Sequence, residues 1–219
     1  MYPDQFLLTV KLKVRSEKQS YHTMLKRLKA ILTVPGILYF FTRFGGSALR
    51  RQAFNQKYRD GSWDYFDKEH SPEMAKVIEE YAKKGRILDM GCGTGILASL
   101  LDADSFTYYR GVDASTEAIA LAQKRKGENI YFEIGDIQSY ECKDDFDLIV
   151  FEESLYYVPI FRRRLLRRFA QHLRHGGLFV VTVADPRRFK GMIRMIRKNF
   201  QIIEDRCFQE SKRLLLVFR

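Results

Sequence analysis

The chain has 219 residues, 46% of them apolar, and a formal net charge of +11 at pH 7. That apolar content excludes a disordered chain, and the length suits one domain with an extension. Cys92, Cys142 and Cys207 form no C-x-x-C pair and have no nearby histidines, which excludes a disulfide framework and a zinc site and points to a reducing compartment.

The charge is regional. Residues 1–50 and 160–198 together carry +18, so the remainder carries −7. Basic segments of this kind suit an anionic surface such as nucleic acid, a membrane or an acidic sugar. The start, Met1-Tyr-Pro-Asp-Gln, lacks a basic region followed by a long apolar run, so no secretory signal is expected and a cytoplasmic protein is.

Phe6, Leu8, Val10, Leu12 and Val14 alternate with mostly polar residues, which predicts a strand or extended arm. From Tyr21 a basic helix is expected, with Met24, Leu25, Leu28, Ile31 and Leu32 on one face, broken at Val34-Pro35-Gly36. The apolar part of this region is too short to span a bilayer, which takes ~20 apolar residues. It suits a lid on the main domain, with peripheral contact to a membrane surface as the alternative. Residues 1–70 are therefore read as an extension and residues 71–219 as the main domain.

Ser71-Pro72-Glu73 marks a helix start, with Met74, Val77, Ile78 and Tyr81 as its stripe and Gly85 as its stop. Strand and helix candidates then alternate: Ile87 and Leu88, Ile96 to Leu101, Tyr108 to Val112, Thr116 to Lys126, Ile130 to Ile134 and Phe146 to Phe151. Ile160 to Arg174, Leu178 to Val183 and Pro186 to Asn199 continue the series. Phe200 to Phe208 and Arg213 to Arg219 close the chain as two strands, antiparallel because few residues join them. The alternation predicts an α/β, Rossmann-like doubly wound sheet of seven strands.

The informative stretch is Arg86 to Leu97, Arg-Ile-Leu-Asp-Met-Gly-Cys-Gly-Thr-Gly-Ile-Leu. A strand passing through a glycine-rich turn into a helix offers backbone N–H groups to a ligand and lets it approach closely. A dinucleotide-binding G-x-G-x-x-G would need glycine where Ile96 stands, and no lysine follows Gly95 to make a P-loop.

D-x-G-x-G-x-G, from Asp89 through Gly91, Gly93 and Gly95, resembles the first motif of the class I S-adenosylmethionine-dependent methyltransferases. The resemblance covers about Ser71 to Val183 and implies S-adenosyl-L-methionine as cofactor, with S-adenosyl-L-homocysteine as product. It implies that Asp89 and the loop residues Gly91, Cys92, Gly93 and Gly95 hold the methionine end. Asp113, followed by Ala114, would accept the ribose hydroxyls, and Asp136 and Ile137 would meet the adenine. Tyr58 and Trp63 belong to a segment that folds over the cofactor in similar enzymes. Burial against the first helix is the alternative for them.

The fourth strand should end near the transferred methyl group, at Phe151-Glu152-Glu153-Ser154. No Asn/Asp-Pro-Pro-aromatic motif stands there, which argues against DNA amino groups and protein glutamine as acceptors. Glu153 to Tyr157 is similar to the matching segment of sugar methyltransferases, including the nodulation-factor N-methyltransferases. Glu152, Glu153 and His70, in that order, are candidate proton acceptors, and Tyr156 is a further catalytic candidate. Cys92 lacks a base and is read as a small loop residue.

The expected activity is methyl transfer to a hydroxyl or amine of a small molecule or sugar, whether part of a polysaccharide, lipid-linked or a natural product. An RNA methyltransferase is the alternative enzyme, and a non-catalytic cofactor-binding or membrane-docking scaffold the alternative of another class. Phe161, Leu165, Phe169 and Leu173 should form one helical stripe, leaving Arg162, Arg163, Arg164, Arg167 and Arg168 as a basic docking surface for an anionic partner.

Overall fold

A computed structural model describes residues 35–63, 72–209 and 211–219. The expected arm over Phe6 to Val14, the basic helix from Tyr21, the boundary at residue 70, the Ser71 cap and the candidate base His70 lie outside the described residues. Two helices, α1 (Pro35–Phe44) and α2 (Ser47–Arg59), precede α3 (Pro72–Ala82). Then come β1 (Arg86–Met90), α4 (Ile96–Leu100), β2 (Tyr108–Asp113), α5 (Thr116–Ala122), β3 (Ile130–Ile134) and β4 (Phe146–Phe151). The chain closes with α6 (Arg162–Ala170), β5 (Leu173–Val183), α7 (Lys190–Asn199), β6 (Ile202–Cys207) and β7 (Leu214–Phe218).

The strands form one seven-stranded sheet of order β3-β2-β1-β4-β5-β7-β6. β1 pairs in parallel with β2 and β4, β2 with β3, and β4 with β5. The expected closing pair is present, and β7 runs antiparallel to both β5 and β6, inserted between them.

Successive strand residues face opposite sides of a sheet, so strands covered on both faces read as continuous apolar runs. Ile87, Tyr109, Leu148, Val150, Val180 and Leu215 belong to one core with Met74, Val77 and Ile78 of α3. Leu88, Val112, Ile149, Phe151, Phe179 and Leu216 belong to the other, with Leu166 and Phe169 of α6 and Ile193 and Ile196 of α7. Among the described residues no helix is long and apolar enough to cross a membrane.

Several boundaries differ from expectation. The Pro35-Gly36 break is the start of α1, since proline is tolerated in a helix's first turn. α2 has no clear apolar stripe and was not expected; of its residues, Arg50, Ala53 and Asn55 are buried.

The helix expected through Arg174 ends at Ala170, because Leu173 pairs with Phe146 and opens an 11-residue β5. Phe161 is not on the buried stripe: it is 72% exposed and caps α6 at φ 60°. α7 starts at Lys190 rather than Pro186. The left-handed stop of α3 falls on Lys83 (φ 49°) and Lys84 (φ 61°), not on Gly85.

Gly85 is needed for a different reason. A Cβ there would lie 2.6 Å from the side chain of Asp147, whose carboxylate accepts the Arg86 N–H at 2.7 Å. We expect Gly85→Ala to lower the unfolding free energy by about 1–3 kcal/mol in urea titration, with the circular dichroism of the folded state unchanged. An unchanged urea midpoint would show that Asp147 yields freely.

Candidate active site

The carboxyl ends of β1 to β4 open into one cavity, the place where open parallel sheets bind ligands. β1 delivers Asp89, Gly91, Cys92 and Gly93; β2 delivers Asp113 and Ala114; β3 delivers Asp136 and Ile137. The end of β4 adds Glu152, Glu153 and Ser154, while Phe54, Tyr58 and Trp63 come from α2 and the turn after it.

The glycines serve close approach more than hydrogen bonding. Gly91, Gly93 and Gly95 have φ of 89°, 54° and 79°, values that side-chain-bearing residues rarely adopt. A Cβ on Gly91 would meet that of Ser154 at 2.5 Å, and one on Gly93 would meet the Tyr58 hydroxyl at 3.0 Å. The expected free N–H groups are largely engaged already. Those of Gly91 and Cys92 donate to the Val112 carbonyl, that of Gly95 to the Cys92 carbonyl, and that of Gly93 to Asp113 Oδ2 at 3.0 Å.

Gly95 does not line the cavity. It begins α4, where a Cβ would stand 2.7 Å from the Phe132 ring. Asp89 is buried and accepts the Tyr109 hydroxyl at 2.5 Å. The Cys92 thiol is pushed well above its ordinary pKa by burial and then by the Asp89 and Asp113 charges, so it is inert as a nucleophile.

Asp113 links two elements of the site. Its Oδ2 takes the Gly93 N–H and its Oδ1 takes the Ser115 N–H at 2.8 Å. Burial raises its carboxyl to about 6, assisted by the Asp136 charge and opposed by N–H donation from Ser115, Gly93 and Ala114.

Asp136 is held from the opposite side of the cavity. Its Oδ2 accepts Nε of Arg50 at 2.6 Å, and its Oδ1 accepts the Gln138 N–H at 2.9 Å. Both partners of this ion pair are buried, and Arg50 also donates to the Gly45 carbonyl. One turn further along α2, Asn55 accepts from Ser115 Oγ at 2.7 Å and from the Thr116 N–H at 2.9 Å. α2 is therefore fastened to the start of α5 and to the loop after β3. Phe54, Tyr58 and Trp63 then close over the site, with the Trp63 ring 5.0 Å from Tyr58 and 5.9 Å from Tyr157.

At the β4 end, Glu153 adopts φ 50°, strained for a non-glycine residue. Its N–H donates to Thr182 Oγ1 at 3.0 Å and its Oε2 accepts the Ala184 N–H at 2.8 Å. Burial pushes its carboxyl up, while the Ala184 N–H and the Arg213 charge pull it back. Glu152 lines the same wall, as does Arg213, which enters from the foot of β7.

Two expected contacts are not in the lining. Tyr156 stacks on Phe189 with centroids 4.4 Å apart, and Tyr157 faces the cavity in its place. Phe151 lies in the core, edge-on to Phe169 at 5.6 Å. The reading of the sequence missed Arg50, Phe54 and Arg213, which stand outside the motifs in the chain, and Gln138, which directly follows Ile137.

A family model described as a methyltransferase domain matches residues 66–211. Trans-aconitate 2-methyltransferase of Deinococcus radiodurans is 37% identical over 99 residues, 45% of this chain and 37% of that protein. Malonyl-[acyl-carrier protein] O-methyltransferase of Bacillus cereus is 28% identical over 152 residues, 68% of this chain and 53% of that protein. The chain thus spans about half or less of the length of each of these curated relatives. The N-methyltransferase NodS of Bradyrhizobium japonicum, solved with S-adenosyl-L-homocysteine, superposes with a TM-score of 0.56 at 23% identity. That superposition covers 67% of this chain and 85% of NodS, and it shows a common fold.

Breaking a buried ion pair leaves an uncompensated charge and typically costs about 3–5 kcal/mol. Arg50→Ala should therefore lower the unfolding free energy by about 3 kcal/mol in urea titration. Asn55→Ala should cost about 1–2 kcal/mol. If Arg50→Ala unfolds at the same midpoint as the unaltered protein, α2 is not fastened through Asp136.

Proposed function

Because this chain belongs to the methyltransferase-domain family, we propose that it moves a methyl group from S-adenosylmethionine to a hydroxyl or amine of a small molecule or sugar. The observation that carries this reading is one cavity in which Asp89, Asp113 and Asp136 surround a glycine turn, with Glu152 and Glu153 on the adjoining wall. The donor set suits that cofactor: a carboxylate for a ribose diol, apolar Ala114 and Ile137 for an adenine ring, and glycines where any Cβ would intrude. When bound, the cofactor supplies a methyl group on a sulfonium, already a good leaving group.

The chain's own work is then positioning and proton transfer. Asp113 accepts the ribose hydroxyls while its remaining lone pairs tie down Gly93 and Ser115. Asp89 and the loop from Gly91 to Gly93 receive the methionine end, and Asp136 faces the adenine. Gly95 and Phe151 support these groups from behind. Tyr58, Trp63 and Tyr157 exclude water, which favours a collinear approach of the acceptor.

An alcohol or ammonium acceptor must also lose a proton. A buried carboxylate with a raised pKa is a good base near neutrality, and Glu153 Oε1 is buried with no hydrogen-bond partner among the described residues while the Ala184 N–H holds Oε2, which supports Glu153 as that base. Arg213 on the same wall favours a second reading, in which the acceptor is a carboxylate held by that guanidinium and no base is needed.

Titration calorimetry with S-adenosylhomocysteine tests the donor site, and Asp113→Ala should abolish or sharply weaken the binding. Asp113 accepts hydroxyls only when ionised, so affinity should be full near pH 7.5 and fall as pH drops through about 6. A flat profile from pH 7.5 to 5 would remove Asp113 from the ribose role.

Once an acceptor is found by a screen with radiolabelled cofactor, Glu153→Gln should slow turnover by about 10²-fold or more while leaving S-adenosylhomocysteine affinity nearly unchanged. If Glu153→Gln is without effect and Arg213→Ala is inactive, the carboxylate reading replaces this one.

A further inference from the structure

The mouth of the cavity borders a surface that methyl transfer does not use. Gln138 and Val158 line the cavity and also a shallower groove formed with Ile160, Phe161, Arg164 and Arg167. Ile160 is 56% exposed and Phe161 72% exposed, consecutive apolar residues turned to solvent. The left-handed φ of 60° at Phe161 starts α6 without drawing that ring into the core.

The arginines of α6 divide into two groups. Arg168 is structural: it donates to the carbonyls of Ile137 at 3.1 Å and Gln138 at 3.0 Å, bracing the loop that carries the cavity wall. Arg163 donates to Asn199 at 3.2 Å. Arg164 and Arg167 are exposed and make no ion pair with any described residue. α6 contains no acidic residue, and Arg194 and Lys198 are exposed on the neighbouring α7.

A second apolar pair lies across Gln138. Its side-chain amide donates to the Arg43 carbonyl at 3.5 Å, next to Phe44. Phe40 and Phe44, 54% and 53% exposed, pack on each other with centroids 5.1 Å apart.

Protruding apolar side chains bordered by uncompensated guanidiniums match the boundary layer of an anionic bilayer, where acyl chains begin and phosphates end. We propose that this rim docks the protein on an anionic lipid surface. Ile160 and Phe161 enter between the headgroups, and Arg164 and Arg167 meet the lipid phosphates. Docking turns the cavity mouth toward the membrane, through the residues that groove and cavity share. The charge complementarity selects anionic over zwitterionic lipid, and it is independent of the methyl-donor reading.

The test is flotation of the full chain, without cofactor, with vesicles of phosphatidylglycerol and phosphatidylcholine and with vesicles of phosphatidylcholine alone. Binding should require phosphatidylglycerol and fall as salt is raised. The double variant R164E/R167E should bind about tenfold or more weakly, and Phe161→Ser several-fold more weakly.

Both variants should keep the melting temperature and S-adenosylhomocysteine affinity of the unaltered chain, so that a failure of donor binding reads separately from a failure of docking. Absent binding, equal binding to phosphatidylcholine, or undiminished binding by both variants each overturns the proposal. So does salt-sensitive binding to RNA or to an acidic carrier protein by a chain that ignores the vesicles.

Discussion

Parallel pairing brings the carboxyl ends of β1, β2, β3 and β4 to one edge of the sheet, and five acidic side chains arrive there with them. Asp89 stands beside Gly111 in the β1–β2 register, and Asp113 beside Ile134 in the β2–β3 register. Asp136, Glu152 and Glu153 follow directly after β3 and β4. All five are buried. Like charges in a poorly solvated cavity repel one another, so each carboxylate needs a donor, a cation or a proton.

The fold supplies a different answer at four of these five positions. Asp89 takes a tyrosine hydroxyl, Asp113 takes two backbone N–H groups and a raised pKa, and Asp136 takes Arg50. Glu153 takes the Ala184 N–H and lies in the field of Arg213. The compensation is incomplete, because burial still raises the pKa of Asp113 and Glu153. A cationic methyl donor suits such a site, since the sulfonium would bring the missing positive charge into an acidic, low-dielectric space.

The same arithmetic explains why charge is segregated over the molecule. Acids collect where the parallel strands end, whereas α6 and α7 expose arginines and lysines to solvent around their apolar stripes. Arg168 joins the two regions, since it projects from the basic helix to brace Ile137 and Gln138. A basic helix thereby helps to shape an acidic cavity that Arg168 itself does not line.

The bounds of β4 are as read from Phe146 to Phe151, because a strand covered on both faces leaves a nearly continuous apolar run. Those of β3 are as read from Ile130 to Ile134, although this edge strand buries only Phe132 and exposes Tyr131 and Ile134. The glycine turn and the three strand-end acids were legible too, because φ above zero, close approach and a carboxylate after a strand are local demands on residue type. α2 was not legible: it is held by Arg50 and Asn55 through partners 86 and 60 residues away, and no short window contains both ends of such a contact.

For the same reason Arg213 and Phe54 joined the cavity only in three dimensions, and Tyr157 rather than Tyr156 faced it, since successive residues of the 3-10 turn Leu155–Tyr157 point about 120° apart. Local chemistry thus determined the turn from Asp89 to Gly95 and the family it belongs to. The tertiary structure decided which side chains close over that turn, because burial and ion pairing are properties of what the folded chain brings together.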